Sequence, residues 1–259
     1  MKQLFMAGIF CLLFLPAFYK VNAQECRDLT DKEKQAYDKL VTVLNENLAA
    51  KLQGDDWEIK SNTTSDHISA AKSPGPARPL MFCQRLYDAS FQLNPSSAQY
   101  TKLSDSANFY MEQSSKATDP NESLRLIKKY SSCMQRSTFR IGVAENVPDY
   151  YLQEPGSGEL IDHYTVLSVP GAMLALQIWY QGVEKGDEPI QQTVLCFGKW
   201  KNNLVKNSTA RWYFHFAFQH PIGTPFIENV VVTIHTDAAR ANDIIKKIDW
   251  TKINDGLTQ

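Results

Sequence analysis

Residues 211–250 read RWYFHFAFQHPIGTPFIENVVVTIHTDAARANDIIKKIDW. From Trp212 to Gln219 the side chains alternate: Trp212, Phe214, Phe216 and Phe218 share one face, and Tyr213, His215, Ala217 and Gln219 the other. An all-aromatic face predicts a strand turned toward a core. The valine-rich run within 226–236 predicts a second strand, and Asp237 stands at the N-cap of a helix over 238–248 that covers one face of the sheet. The connection between the two runs is too short for a parallel return, so the pair is expected to be antiparallel.

Upstream, strand patterns over 163–168, 172–181 and 191–199 extend this pair into a C-terminal meander, with a turn at Lys185-Gly186-Asp187. Helices gather in the other half. Thr30 followed by Glu33 has the spacing of a capping box, and Tyr37, Leu40, Val41, Leu44, Leu48 and Leu52 recur at threes and fours until Gly54. Two central helices follow Asn94-Pro95-Ser96-Ser97 and Asp119-Pro120-Asn121, and extended runs cover Trp57 onward, Leu80 to Leu93 and Phe139 to Val143. The class is therefore α+β: a largely antiparallel sheet with an N-terminal helix, two central helices and a C-terminal helix packed on it. A sub-boundary falls near residue 136, between the helix-rich and the sheet-rich halves of one domain over 24–259.

The chain of 259 residues opens as an exported protein does. Lys2 precedes an apolar run from Leu4 to Tyr19, and Val21-Asn22-Ala23 supplies small residues for cleavage, leaving Gln24 first. The run falls short of the roughly 20 residues of a spanning helix and contains Pro16. Neither Cys11 after Phe10 nor Cys26 after Glu25 stands in a lipid-attachment context. Later segments are too polar to span a bilayer, so the expected location is secreted or periplasmic, with no membrane span in the mature chain. Losing Lys2 and Lys20 takes the formal charge from -1 to -3, which argues against a nucleic-acid partner.

Four cysteines survive cleavage: Cys26, Cys83, Cys133 and Cys196. An even number in an exported chain predicts two disulfides, with three pairings open. Cys26 with Cys133 is the preferred bridge, because one precedes a helix and the other ends one; Cys83 and Cys196 then fall on strands. None has the CxxC spacing of a zinc or redox site, so no metal is assigned.

The histidines, His67, His163, His215, His220 and His235, match no metalloprotease spacing. If the two strands of 211–236 turn near 222–223, His215 faces Val230 and His235 faces Ala210, about 17 Å apart, too far for one ion. Glu159, Asp162 and His163 are donors suited to a hard cation but lack the EF-hand pattern. There is no Gly-x-Ser-x-Gly elbow and no phosphate-binding glycine loop, so no catalytic residue and no cofactor is assigned. Asn62, Asn121 and Asn207 head Asn-x-Ser/Thr triplets.

Two surfaces stand out. One is the acid- and tyrosine-rich loop 145–160, long enough to serve a function. The other is the polar face of the meander, with Gln177, Tyr213, His215, Gln219 and Thr233 as ligand-binding candidates. The expected function is that of an exported, non-catalytic envelope or extracellular protein binding a protein or small-molecule partner through such a face. The alternative is an exported hydrolase whose acids and histidines converge only in the fold.

Overall fold

A computed structural model describes residues 25–54, 56–62, 68–74, 78–152, 161–180, 190–201, 204–206 and 212–258. The expected leader, His67, Glu159, the stretch 153–160, the turn 185–187 and Asn207 lie outside the described residues.

Strand β1 (Cys26–Asp28) leads into α1 (Asp31–Leu44) through the capping box: the Thr30 hydroxyl accepts the Glu33 N–H at 3.4 Å, and the Glu33 carboxylate accepts the Thr30 N–H at 2.8 Å. Arg27 clamps the same carboxylate with two hydrogen bonds of 2.7 and 2.6 Å, and this hydrogen bonding holds Glu33 below the usual carboxylate range. The helix continues through a π-turn, Asn45–Ala49, into α2 (Ala50–Leu52). Strands β2 (Trp57–Asn62), β3 (Ser69–Ala71) and β4 (Tyr87–Leu93) follow. A helical hairpin then interrupts the sheet: α3 (Ala98–Lys116) is capped by the Ser97 hydroxyl and α4 (Pro120–Arg136) by the Asp119 carboxylate.

Seven further strands follow: β5 (Thr138–Glu145), β6 (Asp149–Tyr151), β7 (Ile161–Val166), β8 (Leu174–Tyr180), β9 (Ile190–Gly198), β10 (Leu204–Lys206) and β11 (Trp212–His215). Last come β12 (Asn229–His235), α5 (Ala238–Lys247) and a 3₁₀ turn, Trp250–Gly256. The chain is thus α+β, built on a seven-stranded antiparallel sheet of order β2-β4-β5-β12-β9-β8-β7. Among the described residues no helix is long and apolar enough to cross a membrane.

One face of this sheet carries Phe91, Ile141, Ile234, Leu195 and Phe197, on which α1, α5 and the 3₁₀ turn lay Leu40, Leu44, Ile244 and Trp250. Each aliphatic side chain so buried is worth about 1.5–3 kcal/mol, and this layer is the main source of stability. The other face is covered over β8, β9 and part of β12 by a second sheet of order β10-β11-β6, whose Phe214 joins Phe216, Leu152 and Trp200 over Leu176, Ile178, Val194 and Cys196.

The expected hairpin between 211–219 and 226–236 does not form. Strand β11 pairs β10 and β6, and β12 sits between β5 and β9. Val230, Val231 and Val232 are all buried, so β12 needs neighbours on both edges and cover on both faces, as an inner strand has. The aromatic face of 212–218 supplies part of that cover: Phe214 and Phe216 sink into the second core while Trp212, at the end, stays 45% exposed.

The cysteine expectation is likewise corrected. The bridge is Cys26–Cys83, with Cα atoms 6.2 Å apart, and Cys133 and Cys196 are free thiols. Strand β1 pairs β3 with Cys26 opposite Ala71, while the Cys83 N–H donates to the Ser69 carbonyl, so β3 brings the two together. Cys133 lies on the hairpin, and Cys196 is a buried core residue whose thiol is pushed up by burial.

Candidate functional site

The polar residues expected on one meander face are dispersed. Gln177 is buried on the helix-covered face, its amide 3.4 Å from the Ala238 carbonyl. Thr233 is on the opposite face, where its hydroxyl donates to the Gly142 carbonyl at 3.3 Å. Tyr213 and His215 belong to the small sheet, beside Tyr151 and Asp149, and Gln219 is exposed in the following segment. The departure of β11 takes Tyr213, His215 and Gln219 away from the meander, and the register of β8, β9 and β12 puts Gln177 and Thr233 on opposite faces.

What remains open is the half of the second face that the small sheet does not reach. There, directly opposed residues form a polar row, Ser90, Arg140, His235 and Gln192, across β4, β5, β12 and β9. Thr138, Arg140 and His235 on this half are exposed. Arg140 is held by Asp88, its Nε 2.6 Å from Oδ1 and its Nη2 on Oδ2, and Arg85 adds a third contact of 2.9 Å. Hydrogen bonding from Arg140 keeps the Asp88 carboxyl below its ordinary range.

The helical hairpin, whose helices pack chiefly on each other, overhangs this region. Between α3, α4 and α5 lies a cavity of about 800 Å³ whose lining includes Leu103, Tyr110, Cys133 and Ile244. A second, of about 600 Å³, extends over Ser90, Arg140 and His235. Arg136, Phe139 and Asp237 line both, so the two cavities adjoin and are called the cleft below.

Its centre is electrostatically loaded. The Arg240 guanidinium lies 4.6 Å from the Trp57 ring centre and 3.4 Å from the Thr138 carbonyl. Burial lowers its proton affinity and the nearby Arg136 charge lowers it further, with Asp237 opposing. Asp237 also accepts the Arg240 N–H at 2.9 Å as the N-cap of α5, which fixes where both side chains enter the cleft.

The other titratable groups stand apart. His163, His215 and His220 each place Nδ1 on a carboxylate, Asp162, Asp149 and Glu228, at 2.8, 2.7 and 3.0 Å, in three separate parts of the fold. His215 therefore opposes Asp149 rather than Val230, and His235 opposes Arg140 and Gln192 rather than Ala210. Among the described residues no group of three metal-ligating side chains gathers. Glu145, inside the loop predicted over 145–160, instead ends β5, and its carboxylate accepts the Phe82 N–H at 3.0 Å. Burial raises its pKa to about 7.

Sequence inspection did not find the cleft. Arg136, Arg140 and Arg240 are single basic residues on three elements, without mutual spacing or motif. Comparisons with protein families, curated proteins and solved structures find no match for this chain.

Proposed function

We propose that this protein is exported, loses its leader near Ala23, and acts without catalysis by binding a partner in the envelope or extracellular space. The site is the open polar half of the large sheet together with the cleft beneath the helical hairpin. The observation that carries this reading is the pair of adjoining cavities that share Arg136, Phe139 and Asp237 in their walls. Concave sites of several hundred Å³ with a few convergent polar groups are where ligands bind. The Cys26–Cys83 bridge supports an oxidising compartment, since disulfides persist there and are rare in reducing cytosol.

A thermal-shift screen over chemically sorted small molecules, followed by hydrogen exchange on each stabilising compound, tests this. Protection is expected in 136–140 and 238–247. Ligands that protect only 149–152 and 212–215 would move the site to the small sheet and end the proposal.

A further inference from the structure

We infer that the helical hairpin is a lid: it swings about its root in the sheet and closes on α5, with Lys102 pairing Asp243 across the seam. Its purpose as the cover of a ligand rests on the binding site proposed above, whereas the motion belongs to the free protein.

The hairpin has a single root. Strands β4 and β5 are direct neighbours, with Phe91 opposite Phe139 and Gln92 opposite Thr138, and the whole excursion of α3 and α4 leaves and re-enters the sheet between them. At that point the Leu93 N–H donates to the Ser137 carbonyl at 2.9 Å, and the Asn94 N–H to the Asp56 carbonyl at 2.8 Å. Beyond it the two helices are held to each other. The Ser114 and Ser123 hydroxyls meet at 2.9 Å near the tip, and the Lys129 ammonium lies 5.3 Å from the Tyr110 ring centre. Such a body, joined to the sheet at one place, is a lever, and a hinge needs only a few residues at element ends to change φ and ψ. Here those residues are Asn94, Pro95 and Ser96 before α3 and Ser137 after α4.

The second support is what faces what across the larger cavity. Gln99, Lys102, Leu103 and Ser106 line it from α3, and Arg240, Asp243, Ile244 and Lys247 line it from α5. Both sets have the i, i+3, i+4, i+7 spacing of one helical face. Packed helices bury such faces against each other at axis separations of about 8–10 Å. Here about 800 Å³ of space lies between them, and Leu103 and Tyr110 stay partly exposed. Closure takes their apolar surface out of water. Lys102 and Asp243 are exposed, each in the middle of its stripe, and among the described residues neither side chain has a partner. Arg240, one turn from Asp243, is turned to the Trp57 ring and the Thr138 carbonyl. The opposite charges of Lys102 and Asp243 therefore favour the closed position.

Double electron–electron resonance on the purified protein tests the inference, with spin labels at Ser115→Cys near the hairpin tip and Lys246→Cys on α5, both exposed positions. Cys133 is replaced by Ser, and Cys196, fully buried, stays unlabelled. Two distance maxima are expected, the longer matching the arrangement described above and the shorter belonging to the closed position. Lys102→Glu should cut the share of the shorter about threefold, and adding Asp243→Lys should restore it. Lys247→Gln, which removes a like charge from the α5 stripe, should raise it. Thermal melts of these charge variants should match that of the labelled parent, since all three side chains are exposed. A single maximum at the longer distance in parent and variants overturns the lid. Two maxima whose shares ignore the Lys102 and Asp243 changes overturn the pairing that closes it. Either result leaves the cleft to be judged separately by the exchange screen above.

Discussion

The two halves of the sheet's second face belong to one sheet, on either side of β12, and differ in what lies on them. Over β8 and β9 the residues are Leu176, Ile178, Val194 and Cys196, all buried beneath the small sheet. Over β4 and β5 they are Asp88, Ser90, Thr138 and Arg140, and no strand of the small sheet reaches them. One antiparallel sheet thus serves as the middle layer of a packed structure on one side and as a wet floor on the other. The cleft lies beside the wet half, against the helical hairpin and α5.

This contrast can be broken most strongly from the covered side. Phe216→Ala removes a ring that packs edge-on to Trp200 at 5.2 Å, and should cost about 3–5 kcal/mol in urea unfolding. A loss below about 1 kcal/mol would show that the small sheet is not true core.

Glu145 probes burial of charge at the far end of β5. Its carboxyl titrates near 4.5 in an unfolded chain and at about 7 in the fold, so the folded state holds the extra proton between those values. Stability should therefore fall as pH rises through that window, by up to about 3 kcal/mol, and Glu145→Gln should flatten the slope. Urea midpoints at intervals across the window test this, and an unchanged slope in the variant would assign the titration to another group.

Asp88, on the open half, has the opposite sign. Its folded pKa is lowered by Arg140, so its contribution is present above the ordinary carboxylate range and is lost as pH falls below that range. Because Arg140 is half exposed, Asp88→Asn should cost only about 1 kcal/mol at neutral pH. Thermal melts of the variant and parent should converge in acid. The smallest effect is expected for Ser90→Val, about 1 kcal/mol or less by denaturation, since the change removes only the hydrogen bond between the Ser90 and Ser61 hydroxyls. A clear stabilisation there would reveal unrecognised apolar cover.

Features carried by neighbouring residues were legible before any coordinates. The Thr30–Glu33 capping box, the caps at Asp119 and Asp237, and the N-terminal, central and C-terminal helices form as read. Strand partners were not. The aromatic alternation of 212–218 correctly marks a core-facing strand at Phe214 and Phe216, yet says nothing of which sheet receives it. Tyr213, His215 and Gln219 left the meander for that reason, Gln177 and Thr233 were parted by the register of β8, β9 and β12, and the arginines of the cleft carried no pattern at all.

The amino-acid order by itself determined the class of the fold, because caps and periodicities are interactions over three or four residues whose energies are set locally. Tertiary structure alone decided three things: that β12 lies between β5 and β9, that Cys26 meets Cys83, and that Arg136 and Arg240 line one cavity. Each joins residues distant along the chain, and such pairings are selected by how the whole core excludes water and satisfies its backbone, a condition that no single segment contains.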